Sequence, residues 1–277
     1  MEPLFDTEHL AELRRRALER AVHGADFLLL RAADDLGERL ATVERTFTAA
    51  ALIAPPIPAV EHALRTTGKV FALDPVERDP DTPDLIRLAP ESRDLIVSLM
   101  TLHEANDVPG QLIQIRRALR PDGLFLAAFP GAGTLAELRE SLLAAETELS
   151  GGASPRVAPF IDVRDAGALL QRAGFALPVA DVDTITVRYD SLFGLMKDLR
   201  AMGATNALAA RSRRPVGQRF FARAAEIYAE RFSDPDGRVR ATFNLVWLSG
   251  WAPHETQQKP LKPGSATVSL AKVLKEI

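Results

Sequence analysis

The chain has 277 residues, a formal net charge of −3, 47% hydrophobic residues and 26% charged residues. That length is ample for one large core, and the near-neutral charge lacks the basic footprint of a general nucleic-acid binder. With no cysteine, disulfides, thiolate metal sites and thiol nucleophiles are excluded.

No run reaches the roughly 18 apolar residues of a membrane helix, and the start lacks the basic-then-apolar order of a signal peptide. A reducing, cytoplasmic setting is the expectation. Leu10, Leu13, Ala17, Ala21 and Val22 recur at helical spacing among Arg14, Arg15, Glu19 and Arg20, which predicts an amphipathic leading helix. A second helical stretch over 34–40 completes an N-terminal helical segment, 1–40. Residues 46–53 form a short apolar run that reads as a buried strand. Pro58 to Arg65 suits a helix with Gly68 as its stop, and Val70 to Leu73 is the next strand, with Asp74 at its carboxyl end.

A proline and aspartate loop over 79–83 leads to a short third strand over 84–89. Asp94 to Leu99 is apolar along its length, as a strand covered on both faces should be. A helix over 111–119 stops at Arg120-Pro121-Asp122-Gly123, where Gly123 permits a positive φ, and 124–129 is a fifth strand. Thr134 with Glu137 has the form of a capping box for a helix to Leu149, which Gly151-Gly152 breaks. Further helices follow over 165–172, from Ser191 to Met202 and from Pro215 to Phe232. Strands lie within 175–189 and over 242–251.

This alternation predicts an α/β fold: a three-layer, doubly wound, mostly parallel seven-stranded sheet with helices on both faces. The chain reads as a single domain over 1–277, with a helical insertion at 190–235 before the last strand. In such a sheet, ligands bind at the carboxyl ends of the strands, near the point where strand order reverses. Three segments map there: Ala54 to Pro58, Asp74, and Leu99 to Asp107.

Asp74 lies roughly 20 residues beyond the first turn, where a carboxylate accepts hydrogen bonds from ribose hydroxyls; a turn aspartate before Pro75 is the other reading. The first turn itself reads Ala54-Pro55-Pro56-Ile57-Pro58, without glycine. Glycines there let the backbone approach a cofactor and aim N–H groups at it, whereas prolines have no N–H. The turn is therefore either a rigid connector or a poor cofactor loop. His103 is the one histidine near the expected cleft and is a candidate base, or else a satisfied loop histidine. No histidine and carboxylate set has metal-ligand spacing, and neither a Gly-x-Ser-x-Gly turn nor a Walker-type lysine loop is present.

Ser98-Leu99-Met100-Thr101-Leu102-His103-Glu104-Ala105-Asn106-Asp107, followed by Leu119-Arg120-Pro121-Asp122-Gly123, resembles class I S-adenosylmethionine-dependent methyltransferases. The likeness is to the biotin-pathway methyltransferase-like group, which includes a mitochondrial respiratory complex I assembly factor. Gly133 to Arg139, Ala145 to Glu148, Gly151 to Pro155, Ala158 to Phe160, Leu199 to Asn206, Gly250-Trp251 and Gly264 to Ser269 resemble that factor's own segments.

The resemblance implies a seven-stranded sheet with an antiparallel last strand and S-adenosylmethionine against the first turn. It further implies cofactor contacts at Ala54, Pro55, Asp74, Leu88, Ala89, Ser98 and Thr101, with Leu88-Ala89 as an adenine wall. For the assembly factor it implies hydroxylation of an arginine on a complex I subunit. The chain departs from the family's Asp-x-Gly-x-Gly-x-Gly turn, and carries Glu104 where a tryptophan is expected. Two readings follow: an enzyme using S-adenosylmethionine on a protein or small acid, and a non-catalytic assembly or interaction protein that binds a partner, such as a respiratory-complex subunit.

Overall fold

Strand β1 (Ala50–Ile53) and helix α3 (Pro58–Thr66) flank the proline turn, and Pro58 opens the helix at a position where its missing N–H costs nothing. The computed structural model describes residues 2–76, 79 and 82–258. Strands β2 (Leu73–Pro75), β3 (Arg93–Leu99), β4 (Leu119–Pro130), β5 (Ala176–Tyr189) and β6 (Val239–Trp251) complete one sheet in the order β2-β1-β3-β4-β6-β5. The pairs β2–β1, β1–β3 and β3–β4 are parallel, and β6 runs antiparallel to both β4 and β5. Strand order reverses between β1 and β3, so the crevice of an open sheet lies at their carboxyl ends.

Alternation along the strands sends successive side chains to opposite layers. Ala50, Leu52, Leu95, Val97 and Leu99 pack with α2 (Phe27–Ala41) and α3, while Ala51, Ile53 and Ile96 pack with α4 (Val108–Ala118) and α6 (Val163–Arg172). A third cluster joins α5 (Ala136–Ser150), α7 (Leu192–Ala201) and α8 (Gln218–Phe232) to Tyr189, Val239, Ala241 and Phe243 at the far ends of β5 and β6. α7 and α8 lie between β5 and β6 in the chain.

The structure corrects several expectations. The sheet has six strands among the described residues, because 84–89 does not pair with β2. Its polar groups go to α4 instead: Ile86 N–H donates to Gln114 Oε1 at 2.8 Å, and Gln111 Nε2 donates to Asp84 Oδ1 at 3.0 Å. β1 starts at Ala50, since the N–H groups of Thr48 and Ala49 are taken by the Asp94 carboxylate at 2.7 and 3.0 Å.

Asp74 lies within β2 and not beyond it. At the 120–123 turn the positive φ belongs to Asp122 (61°); Gly123 is needed for close approach, as a Cβ there would meet the Arg120 carbonyl oxygen at 2.9 Å. Thr134 and Glu137 do not cap α5, whose first turn follows Leu135 in a left-handed conformation. The motif at 264–269 lies outside the described residues.

Candidate functional site

The turn after β1 has two N–H groups in five residues, because positions 55, 56 and 58 are proline. Ile57 N–H is spent on the Pro55 carbonyl oxygen at 2.8 Å, which leaves at most that of Ala54 for a ligand. Ala54 and Ile57 are half-buried against the α2/α3 core, and Met100, just after β3, packs on the same core with φ of 52°. A non-glycine residue in that conformation costs energy that the surrounding packing must supply.

The other expected cofactor contacts are also engaged. Ile53 pairs with Ser98, so Ser98 and Thr101 do stand beside the turn. Their hydroxyls are buried and hydrogen-bond each other at 2.8 Å. Asp74 pairs with Ala51, which puts it three residues, or roughly 10 Å, below the mouth of the crevice. Its carboxylate is exposed and bridged by Arg93 from the amino end of β3. Leu88 packs into the α4/α6 core, and Ala89 is exposed. S-adenosylmethionine presents a carboxylate and ribose hydroxyls that call for several donors and a free acceptor. The residues at this crevice do not fit that demand.

A second feature lies along the same sheet edge. An apolar cavity of about 140 Å³, partly open to solvent, is lined by the loop after β3, the end of β4, β6, the 159–161 segment, α4, α6 and the chain's own Leu4 and Phe5. His103 is the only polar side chain in its lining; its ring lies 6.3 Å from that of Phe160, and its Nε2 lies 3.6 Å from Glu104 Oε1. Glu104 forms an ion pair with Arg14 of α1 (Thr7–Arg20).

Sequence reasoning missed two residues here. Asn106 grips Phe5 at both ends, accepting its N–H at 2.8 Å and donating to its carbonyl oxygen at 3.1 Å. Asn244 of β6 fixes the loop after β4: it exchanges hydrogen bonds with Thr134 Oγ1 at 3.0 and 3.2 Å and donates to the Ala132 carbonyl oxygen at 2.7 Å. Gly133, at φ of 87°, leaves room for that amide, since a Cβ would come within 2.4 Å of Nδ2. The signal for Asn244 was the Gly131-x-Gly133-Thr134 run at a strand end; Asn106 carried none.

A parallel sheet closed by one antiparallel strand, with helices on both faces and a cleft at the strand ends, defines a methyltransferase-like α/β protein. Residues 39–127 match the methyltransferase-domain family, in which S-adenosylmethionine is the cofactor. The malonyl-[acyl-carrier protein] O-methyltransferase of Xylella fastidiosa is 32% identical over 280 residues, covering 91% of this chain and 90% of that protein. The chain belongs to that methyltransferase family.

The mitochondrial arginine-hydroxylase NDUFAF5 of Homo sapiens is 41% identical over 223 residues, covering 75% of this chain and 64% of that protein. The chain spans 40% to 65% of the length of the arginine-hydroxylase relatives it matches. Among solved structures, the YcgJ protein of Bacillus subtilis shares the fold, with a TM-score of 0.52 at 13% identity, covering 79% of this chain and 98% of that one.

Proposed function

We propose that this chain is a non-catalytic member of the methyltransferase family, which keeps the fold and acts by binding a protein partner. The observation that carries this reading is the turn over 54–58: three prolines, an internally satisfied Ile57 N–H and at most one N–H for a ligand. The mutual hydrogen bond of Ser98 and Thr101 and the Arg93 bridge on Asp74 support it. The resemblance to a respiratory complex I assembly factor points to a partner in that assembly, and the relatives named arginine-hydroxylase point to an arginine-bearing protein segment.

Calorimetry with S-adenosylmethionine and its demethylated product tests the reading. No heat at millimolar ligand, from demonstrably folded protein, is the expected result; micromolar binding of either compound overturns it. One observation favours the enzyme reading instead. Asp74 keeps a carboxylate in β2 beside β1, 61% exposed, and a rearrangement that releases it from Arg93 gives it back to a ribose. Methyl transfer asks little of side chains beyond alignment of the reacting groups, so the same titration decides between the two.

A further inference from the structure

The cavity beside His103 is not explained by the fold alone. Protein interiors pack to near-crystalline density, with few voids larger than a water molecule. An enclosed apolar cavity of about 150 Å³ stays dry and accepts benzene; this one, at about 140 Å³, is similar in size and in its apolar lining but is partly open to solvent. Three of its walls are aromatic rings, Phe5, Phe129 and Phe160, and the rest apart from His103 is aliphatic or proline.

The part of the wall built from Leu4 and Phe5 is made differently from the others. The other walls come from the loop after β3, the 159–161 segment and side chains of β4, β6, α4 and α6, whereas these two residues precede α1 and form a strap at the cavity. The strap is held by polar bonds along its length. Asn106 takes Phe5, the Asp6 N–H donates to the Ala207 carbonyl oxygen at 2.9 Å, and the Ala209 N–H donates to the Leu4 carbonyl oxygen at 2.9 Å. Arg211 pairs with Asp6 at 2.9 Å, and Arg14 pairs with Glu104, the residue directly after His103. Hydrogen bonds of this kind contribute about 1 kcal/mol each and exchange readily with water. They form a closure that can open without dismantling the sheet.

We infer that this cavity is a ligand pocket for a small apolar ring, and that residues 4–6 are the strap that admits and then encloses it. The ring is of toluene size. A free small molecule or the phenylalanine side chain of a bound protein segment both supply that chemistry. The inference goes beyond the function proposed above, because it uses none of the residues of the proline turn and holds whether or not S-adenosylmethionine binds.

Saturation-transfer NMR on the full chain with toluene, and in parallel with N-acetylphenylalanine amide, tests it. Toluene should bind, and Ala105→Phe, which fills the cavity from the loop after β3, should weaken binding at least tenfold. Should that variant fail to fold, Leu169→Phe fills the same space from α6. Arg211→Ala, which removes the ion pair on Asp6 and lies outside the cavity lining, should leave toluene binding in place while speeding its exchange at least threefold. Hydrogen exchange at the Phe5 and Asp6 amides should slow when toluene is bound. Binding of the amide as well as toluene identifies a protein side chain as the source; toluene alone identifies a small molecule. No saturation transfer from either compound at millimolar concentration, or binding undiminished by both filling variants, overturns the pocket. Unchanged exchange at Phe5 and Asp6 overturns the strap.

Discussion

Two regions share the carboxyl edge of the sheet and have opposite characters. The crevice between β1 and β3 has closed upon itself: prolines in the turn, a hydroxyl pair bonded to itself, and Met100 held at positive φ. The region at the ends of β3 and β4 keeps a cavity, a histidine and a loop fixed by Asn244. They rest on different cores. Ala54, Ile57 and Met100 pack toward α2 and α3, whereas Leu102, Phe129 and Ala166 pack toward α4 and α6. Because neighbouring strand positions face opposite layers, substitutions on one side of the sheet need not disturb the other. A proline-rich turn on one side is compatible with an unfilled cavity on the other, a few residues away.

The sharpest test of that independence is a pair of truncations. Phe129→Ala removes a fully buried ring from the cavity wall and should cost about 3–5 kcal/mol, whereas Ile57→Ala, half-buried in the turn, should cost about 1–2 kcal/mol. Urea unfolding measures both. Equal losses would mean that the turn is as firmly built into the core as the cavity wall.

Next in size is the seam beneath both regions. Burial pushes the Asp94 carboxyl up, but hydrogen bonds from the Thr48 and Ala49 N–H groups and the Thr48 hydroxyl outweigh it, and the net shift is downward. A group whose folded value is lowered gives its full stabilisation above the ordinary carboxylate range, about pH 4, and loses it as pH falls through the lowered value. Asp94→Ala should cost about 1–2 kcal/mol at neutral pH by leaving two partly buried N–H groups without their acceptor. The gap to wild type should shrink in acid. A gap that persists in acid would place the cost in packing and not in the carboxylate.

Smaller still is the latch of the leading helix. Glu104→Gln removes the charge that Arg14 meets. As that pair is partly exposed, the loss in global stability should be about 0.5–1 kcal/mol. Limited proteolysis should nonetheless cut within 7–20 sooner, since the pair ties α1 itself to the loop after β3. Unchanged cleavage would separate the helix from the cavity loop.

Much of this architecture was legible because its causes are local. Continuous apolar runs marked β3 and β4, and Pro58 marked the start of α3. The strand expected over 84–89 failed for a non-local reason: Gln114 on α4 takes its backbone groups and Gln111 takes the Asp84 carboxylate, and no spacing within 84–89 reveals that. The capping box failed similarly, because Thr242 of β6 takes the Glu137 carboxylate. At the site, the missing glycines were plain in the sequence. The mutual bond of Ser98 and Thr101 and the level of Asp74 on β2 follow from strand register, which a sequence does not print.

Register also decides what repair of the turn can achieve. Pro55→Gly with Ile57→Gly restores conformational freedom and one N–H, yet Pro58 still opens α3. Ser98 and Thr101 remain bonded to each other, and Arg93 still holds Asp74 below the crevice mouth. If the crevice is closed at all of these points, the double variant should, like the parent chain, give no heat with S-adenosylmethionine at millimolar concentration. Calorimetry on both proteins checks this. Heat from the double variant would place the whole defect in the turn and make the rest of the crevice competent. Adding Arg93→Ala to the double variant then discriminates further: a gain that appears only in the triple variant assigns the block to the ion pair, because that change alone frees the carboxylate.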